Sequence, residues 1–165
     1  MSETLEHPFH PILFRDTEIL ILGTFPSVKS FENNFYYAHP RNQFWKIMEA
    51  VSGYPVNNRD QKIWLLKKCK LGLWDMVAVC QRDNSLDSSL KDEKVNDIAA
   101  LMKQYPQIKK VCFTGKKAEA LYKTYFSHLD AETCYLPSPS PAYAAMSFEE
   151  KAVQYAEELG VRKEK

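Results

Sequence analysis

One short apolar run constrains the fold of this chain more than any other feature of its sequence. Glu18 is followed by the continuous apolar stretch 19–22 and then by Gly23. A strand with one wet face alternates apolar and polar residues, whereas a continuous run indicates cover on both faces, as in a parallel sheet. The run therefore predicts a buried strand. The turn after it, residues 24–27, lies at the carboxyl end of that strand, where open α/β sheets bind ligands.

Further strand-like segments alternate with helical ones along the chain. The strand-like segments are residues 71–80, 109–115 and 132–136, and the helical ones are 40–53, 60–68, 94–105, 116–126 and 148–159. Pro40 and Asp60 suit the starts of their helices, and Gly53 suits a helix end. This order predicts an α/β protein, a three-layer α/β/α sandwich with a mainly parallel four-stranded central sheet.

The length of 165 residues fits a single domain that spans residues 1–165. Residues 1–14 contain two His-Pro pairs and predict an irregular N-terminal arm, to which we assign no chemistry, and residues 161–165 predict a frayed tail. The formal net charge is only +1, so that binding to nucleic acid requires a local basic patch rather than a basic protein.

The cysteines and the absence of long apolar runs indicate the cellular compartment of the protein. Cys69, Cys80, Cys112 and Cys134 are far apart, without the spacing of metal ligands, and three of them lie in apolar runs. Free thiols of a reducing compartment are therefore expected, rather than disulfides or a zinc site. The sequence shows no signal peptide and no run long enough to span a membrane. We expect a cytoplasmic protein without a membrane partner.

Residues 33–45 mix chemical types in a way that neither a core segment nor a solvated loop requires. This stretch carries aromatic rings, Asn and Gln amides, one His and one Arg. Stacking rings beside hydrogen-bonding side chains are the components of a pocket for a flat heterocycle. The stretch is therefore the leading candidate for a binding site.

Three segments resemble the sequence motifs of the uracil-DNA glycosylase superfamily. Residues 23–27 (Gly-Thr-Phe-Pro-Ser) resemble its first motif, a Gly-x-x-Pro turn at a strand end. Residues 136–142 (Leu-Pro-Ser-Pro-Ser-Pro-Ala) resemble its second motif, a His/Asn-Pro-Ser turn. Between them, residues 37–45 (Tyr-Ala-His-Pro-Arg-Asn-Gln-Phe-Trp) are similar to a segment of the mismatch-specific uracil/thymine branch. The order and spacing agree over roughly residues 18–160.

Two departures decide which branch the chain resembles most. Phe25 stands where the superfamily usually has an Asp or Asn that positions the attacking water, and Ser138 stands where His or Asn is usual. This combination is similar to the hypoxanthine-DNA glycosylase branch, which repairs deaminated adenine. The resemblance implies a monofunctional DNA glycosylase that acts on a deaminated base, hypoxanthine first, without a metal or cofactor. The expected partner is double-stranded DNA that contains such a base, and the expected state is a monomer.

The resemblance also implies roles for individual residues. Tyr37 would stack on the base, while Phe25 and His39 would line its pocket. Asn42 would read the base and act in catalysis, because its amide offers both a donor and an acceptor to the N1–H and O6 of hypoxanthine. Ser138 is the second catalytic candidate. Core packing of Tyr37, a scaffold role for His39 and a helix cap by Asn42 are the open alternatives.

A further group of residues is expected to contact DNA. Arg41 and Lys116, the latter at a predicted helix N-terminus, would bind phosphates. Tyr143 would enter the gap that the flipped base leaves. The other expected contacts come from the two motif turns, namely Ser27, Ser140, Pro141 and Ala142. The alternatives are an ordinary Pro-rich turn and solvated surface charges.

The general base and the exact activity stay open from the sequence alone. Asp75 and Asp83 are candidates for a general base, although an Asp near a strand end is more often a cap or an ion-pair partner. A uracil or thymine mismatch glycosylase is favoured by residues 37–45 and opposed by Phe25. A catalytically silent module that binds nucleic acid or nucleotide is the other rival, because both usual polar motif residues are missing.

Overall fold

The computed structural model describes residues 3–7, 9–25, 30, 35–82, 91–140 and 143–163 of the chain. The strands are β1 Glu3–Glu6, β2 Ile19–Gly23, β3 Leu71–Asp75, β4 Val77–Arg82, β5 Lys91–Val95, β6 Lys110–Phe113 and β7 Glu132–Tyr135. The helices are α1 Phe44–Ser52, α2 Arg59–Lys68, α3 Ile98–Gln104, α4 Lys116–Phe126 and α5 Phe148–Leu159. Among the helices of these described ranges, none is long and apolar enough to cross a membrane.

Strand β2 lies inside a four-stranded parallel sheet, as its continuous apolar sequence predicts. The strand order is β3-β2-β6-β7, and each pairing is parallel. Because consecutive side chains of a strand point to opposite faces, Ile21 packs on one side of the sheet and Leu20 and Leu22 on the other. All three side chains are completely buried. The predicted α/β/α sandwich with a parallel central sheet is therefore confirmed.

Two apolar cores fill the spaces between this sheet and the helices. The first core holds the inner faces of α1, α2 and α5, with Phe44, Leu65 and Tyr155 among its members. The second holds those of α3 and α4, with Ile98 and Tyr122. Each fully buried large apolar side chain contributes on the order of 1.5–3 kcal/mol to folding. The two cores fix the sheet between the helices, so that its carboxyl edge is a rigid platform.

A second, antiparallel sheet corrects two of the sequence predictions. The prediction of one strand over residues 71–80 is wrong, since β3 ends at Asp75 and β4 belongs to a sheet ordered β1-β4-β5. The backbone N–H of Met76 donates to the carbonyl of Gly23 at 2.8 Å, where the chain leaves the parallel sheet. The N-terminal arm is not irregular throughout, because β1 pairs with β4.

Helix α1 begins later than its sequence suggests. Pro40 lies in a turn, and the helix starts at Phe44 after Gln43. The backbone N–H of Gln43 donates to the carbonyl of Pro139 at 2.8 Å, which joins the start of the helix to the second motif turn. Gly53 ends the helix with a φ of 79°, as predicted.

Two further helix starts differ from their predictions. The helix expected from residue 94 begins at Ile98, and Asp97 caps it by accepting from the backbone N–H of Ala100 at 2.9 Å. The residues before it form β5. In α2 the capping side chain is that of Asn58, while Asp60 lies in the first turn.

Candidate active site

Three polar side chains gather around Gly23 at the carboxyl ends of the parallel strands. A Cβ placed on Gly23 would lie 2.5 Å from Oδ1 of Asp75, 3.1 Å from the hydroxyl of Tyr37 and 3.4 Å from Oγ1 of Thr114. Gly23 ends β2, Asp75 ends the neighbouring strand β3, and Thr114 follows β6 on the other side. A Cβ at position 23 would clash with Oδ1 of Asp75, so glycine is what allows these side chains to approach the backbone so closely. These four residues form what we call the Gly23 cradle.

A buried histidine holds the carboxylate of the cradle. Nε2 of His7 lies 2.7 Å from Oδ2 of Asp75, and the two side chains are only 4% and 6% exposed. Because an ionised carboxylate only accepts hydrogen bonds, Nε2 is the donor. Nδ1 of His7 lies 3.0 Å from the carbonyl oxygen of Phe9 and 3.2 Å from its backbone N–H, so the backbone of Phe9 holds the other side of the ring. The sequence predicted no role for His7, since nothing in the local pattern indicates a contact 68 positions away.

Aromatic rings surround this pair. The ring centroids of Phe25 and Tyr36 each lie 5.9 Å from that of His7. Phe25 is buried at this position, so its ring is a wall beside His7. The Tyr36 hydroxyl donates to the carbonyl of His10 at 3.1 Å. Burial, and then the negative charge of Asp75, raises the pKa of Tyr36 above its usual value, so that Tyr36 stays neutral.

Tyr37 joins the cradle to a neighbouring cavity. Its ring stacks on Phe44, with 4.1 Å between centroids and 17° between planes. Its hydroxyl lies 2.9 Å from Oγ1 of Thr114. A φ of 52° is uncommon for so bulky a residue and stores strain, which these two contacts stabilise. Phe44 covers one face of the ring while the side chain stays partly exposed, a geometry that suits the predicted stacking role.

Asn42 and His39 shape the turn before α1. Oδ1 of Asn42 accepts from the backbone N–H of Phe44 at 2.9 Å. Nδ1 of His39 accepts from the backbone N–H of Arg41 at 3.0 Å. The scaffold alternative for His39 is therefore present in the structure. Asn42 is not the helix cap, because Gln43 is the N-cap and no side chain caps the helix; the Asn42 bond stabilises the turn that precedes it. The Asn42 bond uses the carbonyl oxygen and not the NH2 group, so it is compatible with a donor role toward a ligand.

A cavity of about 610 Å³ brings together three of the predicted base-binding residues, Tyr37, His39 and Asn42. The side chain of Phe25 lies against His7 instead and is not among those that line this cavity. The ring of Tyr37 therefore borders the cavity, while its hydroxyl belongs to the cradle.

The far wall of the cavity is basic. It carries Lys46 from α1 and Arg59 and Lys62 from α2. The guanidinium of Arg59 lies 4.8 Å above the centre of the Phe35 ring. Nζ of Lys62 lies 5.4 Å from the centre of the Trp45 ring. Burial, and then the charge of Arg59, lowers the pKa of Lys62. The cavity thus combines aromatic rings, amides and positive charge.

The second motif turn is tied to both α1 and α5. Oγ of Ser138 accepts from the backbone N–H of Ser140 at 3.2 Å. Lys151 of α5 is only 1% exposed, and its Nζ donates to Oε1 of Gln43 at 2.7 Å and to the carbonyl of Ser140 at 3.4 Å. One buried lysine therefore connects the segment before α1 to the turn that resembles the second motif.

Lys151 also lies beside a predicted DNA contact, although the sequence did not single it out. Its Nζ is 5.4 Å from the centre of the Tyr143 ring, and burial lowers the pKa of Lys151. A lysine that follows two glutamates in an amphipathic helix is usually exposed. Its burial could have been inferred from its spacing in the sequence. Lys151 lies four residues before the buried Tyr155 and therefore on the same helix face.

The remaining predicted DNA contacts lie at the surface or outside the described residues. Arg41 is exposed, and so is Lys116, which begins α4 as predicted. Four residues for which the sequence suggested a role lie outside the described residues, namely Ser27, Asp83, Pro141 and Ala142.

Neither metal clusters nor disulfides occur in the part of the chain that the structure describes. Within it, no group of three or more His, Cys, Asp or Glu side chains is placed to hold a metal ion. Cys69, Cys112 and Cys134 are not joined in disulfides.

Comparison with known proteins assigns the chain to a family. Residues 11–159 match the model of the uracil DNA glycosylase superfamily. This match covers most of the chain and includes both motif turns and the segment between them. The chain therefore belongs to the uracil DNA glycosylase superfamily, as its motifs predict.

Particular relatives narrow the comparison. A protein of Methanosarcina acetivorans named hypoxanthine DNA glycosylase is 35% identical over 140 residues, 84% of this chain and 88% of the relative. A protein of the same name from Methanosarcina barkeri is 35% identical over 136 residues, 81% of this chain and 85% of the relative. A solution NMR structure from Methanosarcina acetivorans, described as a candidate uracil DNA glycosylase, is similar with a TM-score of 0.80 and 31% identity, covering 96% of this chain and 99% of that one.

Proposed function

We propose that this chain is a monofunctional DNA glycosylase that hydrolyses the bond between deoxyribose and hypoxanthine in double-stranded DNA. The observation that carries the substrate is the 35% identity, over 84% and 81% of the chain, to two proteins named hypoxanthine DNA glycosylase. Membership of the superfamily supports the reaction class. We also propose that the protein acts as a monomer.

The reaction begins with the base outside the double helix, because the bond to be broken is hidden within the duplex. The ring of Tyr37 is stacked on Phe44 on one face, and the base stacks on its other face. The cavity of about 610 Å³ that Tyr37 borders lies in the range that small ligands occupy. This cavity, lined by Tyr37, His39 and Asn42, is the base pocket of the proposal.

Cleavage of the bond leaves positive charge on the sugar and negative charge on the departing base, as in other oxocarbenium-like reactions. The NH2 group of Asn42 donates to the base and stabilises that negative charge. Ser138 accepts from Ser140 through its Oγ and keeps its own O–H hydrogen, which it donates to the base or to the attacking water. Both residues are donors at the point where charge develops.

The DNA backbone is held by local positive charge, since the formal net charge of the protein is only +1. Arg41 and Lys116 are exposed and contact phosphates. The basic wall of the cavity, with Lys46 and Lys62, extends this surface. Tyr143, beside Lys151, enters the gap left by the base.

A cleavage assay on matched duplexes tests the proposal. Each duplex carries hypoxanthine, uracil, xanthine or normal adenine at one position, and strand breaks are measured after alkali in the presence of a chelator. We expect breaks at hypoxanthine and none at adenine. Breaks mainly at uracil would instead assign the chain to the mismatch-specific activity that residues 37–45 resemble. No breaks with a folded protein would favour a silent binding module.

A further inference from the structure

The cavity that Tyr37 borders is larger than a flipped base alone requires. Its volume of about 610 Å³ lies in the range that drug-sized ligands occupy, and a purine base is only a fragment of such a ligand. Among the lining residues that the structure describes, three are cationic, Lys46, Arg59 and Lys62, and Glu49 is the one acidic side chain. The basic wall therefore suits an anionic group that is attached to the base.

Two of the three cations are held by aromatic rings. The guanidinium of Arg59 lies 4.8 Å from the centre of the Phe35 ring, and Nζ of Lys62 lies 5.7 Å from the same centre. Because Arg59 and Lys62 are three positions apart in α2, they are neighbours on the surface of that helix. A ring attracts a cation without neutralising its charge, so these contacts leave the charge available to an anion.

The rings that hold these cations are themselves fixed in the core. Phe35 and Trp45 stack with 5.8 Å between centroids and 16° between planes, and both are buried. Nε1 of Trp45 donates to the carbonyl of Tyr36 at 2.9 Å. The rings therefore restrict the two cationic groups before a ligand arrives, which lowers the entropy cost of binding.

The chemistry of this pair fits a phosphate group. Arg59 and Lys62 carry like charges, and the charge of Arg59, after burial, lowers the pKa of Lys62. An anion bound by both groups would offset their repulsion. The planar guanidinium can donate two parallel hydrogen bonds to phosphate oxygens, and the lysine adds a point charge. Phosphate is also the anion that a nucleotide carries on the sugar next to its base.

We propose that Arg59 and Lys62 bind a phosphate of the same nucleotide whose base stacks on Tyr37. The cavity is then a site for a whole purine nucleotide and not for a base alone. This inference rests on the proposed function, which places the base on Tyr37. It differs from general attraction to DNA, because the base and the phosphate belong to one unit. A flipped nucleotide in a strand and a free nucleotide share this chemistry, and separate experiments distinguish them.

The first test uses the wild-type protein and free ligands. Isothermal titration calorimetry compares deoxyinosine with deoxyinosine 3′,5′-bisphosphate, which carries both phosphates that flank the base in a strand. We expect the bisphosphate to bind about tenfold tighter or more, as for a hydrogen bond to a charged group. Deoxyadenosine and its bisphosphate should show the same gain, because the phosphate contact does not depend on the base. Equal affinities for nucleoside and bisphosphate would overturn the inference.

The second test removes the charges of the wall one at a time. Arg59→Gln and Lys62→Gln should each lose most of the gain from the phosphates and keep the affinity for deoxyinosine. Lys62→Arg, which retains the charge, should keep the gain. Lys68→Gln is the matched control, because Lys68 is an exposed lysine in the last turn of the same helix. A loss in Lys68→Gln as large as in the other two would reveal general attraction by any cation and refute a phosphate site.

The third test asks whether the phosphate belongs to a DNA strand. Two duplexes carry 2′-fluoro-deoxyinosine, whose electron-withdrawing fluorine slows cleavage by destabilising the oxocarbenium-like transition state. In one of them, uncharged methylphosphonates replace the two linkages that flank this nucleotide. In fluorescence anisotropy, Arg59→Gln should weaken binding to the ordinary duplex and have little further effect on the neutral one, because both changes remove the same contact. Additive losses would exclude the strand as the source of the phosphate.

Failure of this inference is distinguishable from failure of the proposed function, because the binding measurements require no cleavage. Wild-type protein that cleaves at hypoxanthine but binds the bisphosphate no better than the nucleoside would refute the nucleotide site alone. Wild-type protein that prefers the bisphosphate but cleaves none of the deaminated bases would refute the proposed hydrolysis and leave the nucleotide site in place.

Discussion

Asn42 has a structural task and, in the proposed reaction, a chemical one. Its oxygen accepts from the backbone N–H of Phe44 where α1 begins, and the side chain also lines the cavity beside Tyr37. The two tasks use different atoms of one amide, oxygen for the helix and NH2 for the base. The structural and the chemical contribution of Asn42 can therefore be separated by comparison with an Asn that only makes a structural hydrogen bond at a helix start.

Asn42→Ala should lose about 10²–10³-fold in cleavage rate at hypoxanthine, as is typical when a donor to developing negative charge is removed. It should also lose about 0.5–1.5 kcal/mol of stability with the hydrogen bond to the backbone N–H of Phe44. Asn58→Ala is the matched control, because Asn58 caps α2 by accepting from the backbone N–H of Gln61 at 2.9 Å. The control should lose similar stability and keep its rate. Equal single-turnover rates for Asn42→Ala and wild type would contradict the chemical role.

At the scale of elements, the central sheet was predictable and the second sheet was not. The apolar run of β2 can only be satisfied by cover on both faces, which specifies a parallel sheet. Strand β5, by contrast, has the sequence Lys-Asp-Glu-Lys-Val, which carries no apolar periodicity. Its pairing with β4 depends on backbone hydrogen bonds, which leave no trace in the pattern of side chains. The prediction of a helix from residue 94 is wrong for this reason.

The junction between α1, α5 and the second motif turn depends on Lys151. Its ammonium group bonds to Gln43 and to the carbonyl of Ser140, and burial of the charge opposes the stability that these bonds contribute. Removing the lysine loses the two hydrogen bonds, which destabilises the fold, and also removes a buried charge, which stabilises it. The placement of the turn, in contrast, only loses its connection to α1 and α5.

Lys151→Met should leave the melting temperature within a few degrees of wild type while the turn loses its connection. We expect the cleavage rate at hypoxanthine to fall about tenfold, which corresponds to roughly 1.4 kcal/mol of lost positioning. Lys67→Met, at an exposed position of α2, is the control and should keep the wild-type rate. A variant that cleaves as fast as wild type would show that Lys151 has no part in placing the turn.

At the scale of the whole molecule, the candidate site is assembled from distant parts of the chain. Tyr37, His39 and Asn42 share one cavity and were predictable together, because they are neighbours in one short segment of unusual composition. His7 and Lys151 were not predictable, because their roles depend on contacts with Asp75 and Gln43, 68 and 108 positions away. Such contacts arise only when the layers of the sandwich are in place.

The low net charge of the molecule makes a prediction about salt. A formal net charge of +1 gives no general attraction to DNA, so that affinity depends on a few local contacts to phosphates. Arg41→Gln should weaken binding to all duplexes alike and reduce the slope of log affinity against log salt by about 0.9. Lys103→Gln, at an exposed position of α3, should leave the slope unchanged. Fluorescence anisotropy over a range of salt concentrations measures both slopes, and equal slopes would remove Arg41 from the phosphate contacts.

The central claim is hydrolysis of one glycosidic bond, and the most direct measurement is analysis of the products in heavy-oxygen water. A duplex with a single deoxyinosine is incubated with the protein, and the released base and the strand are examined by mass spectrometry. We predict free hypoxanthine and an unbroken strand whose deoxyribose carries the heavy oxygen at C1′. A strand broken without alkali, or a strand that keeps its hypoxanthine while the protein is folded, would contradict hydrolysis by a monofunctional glycosylase.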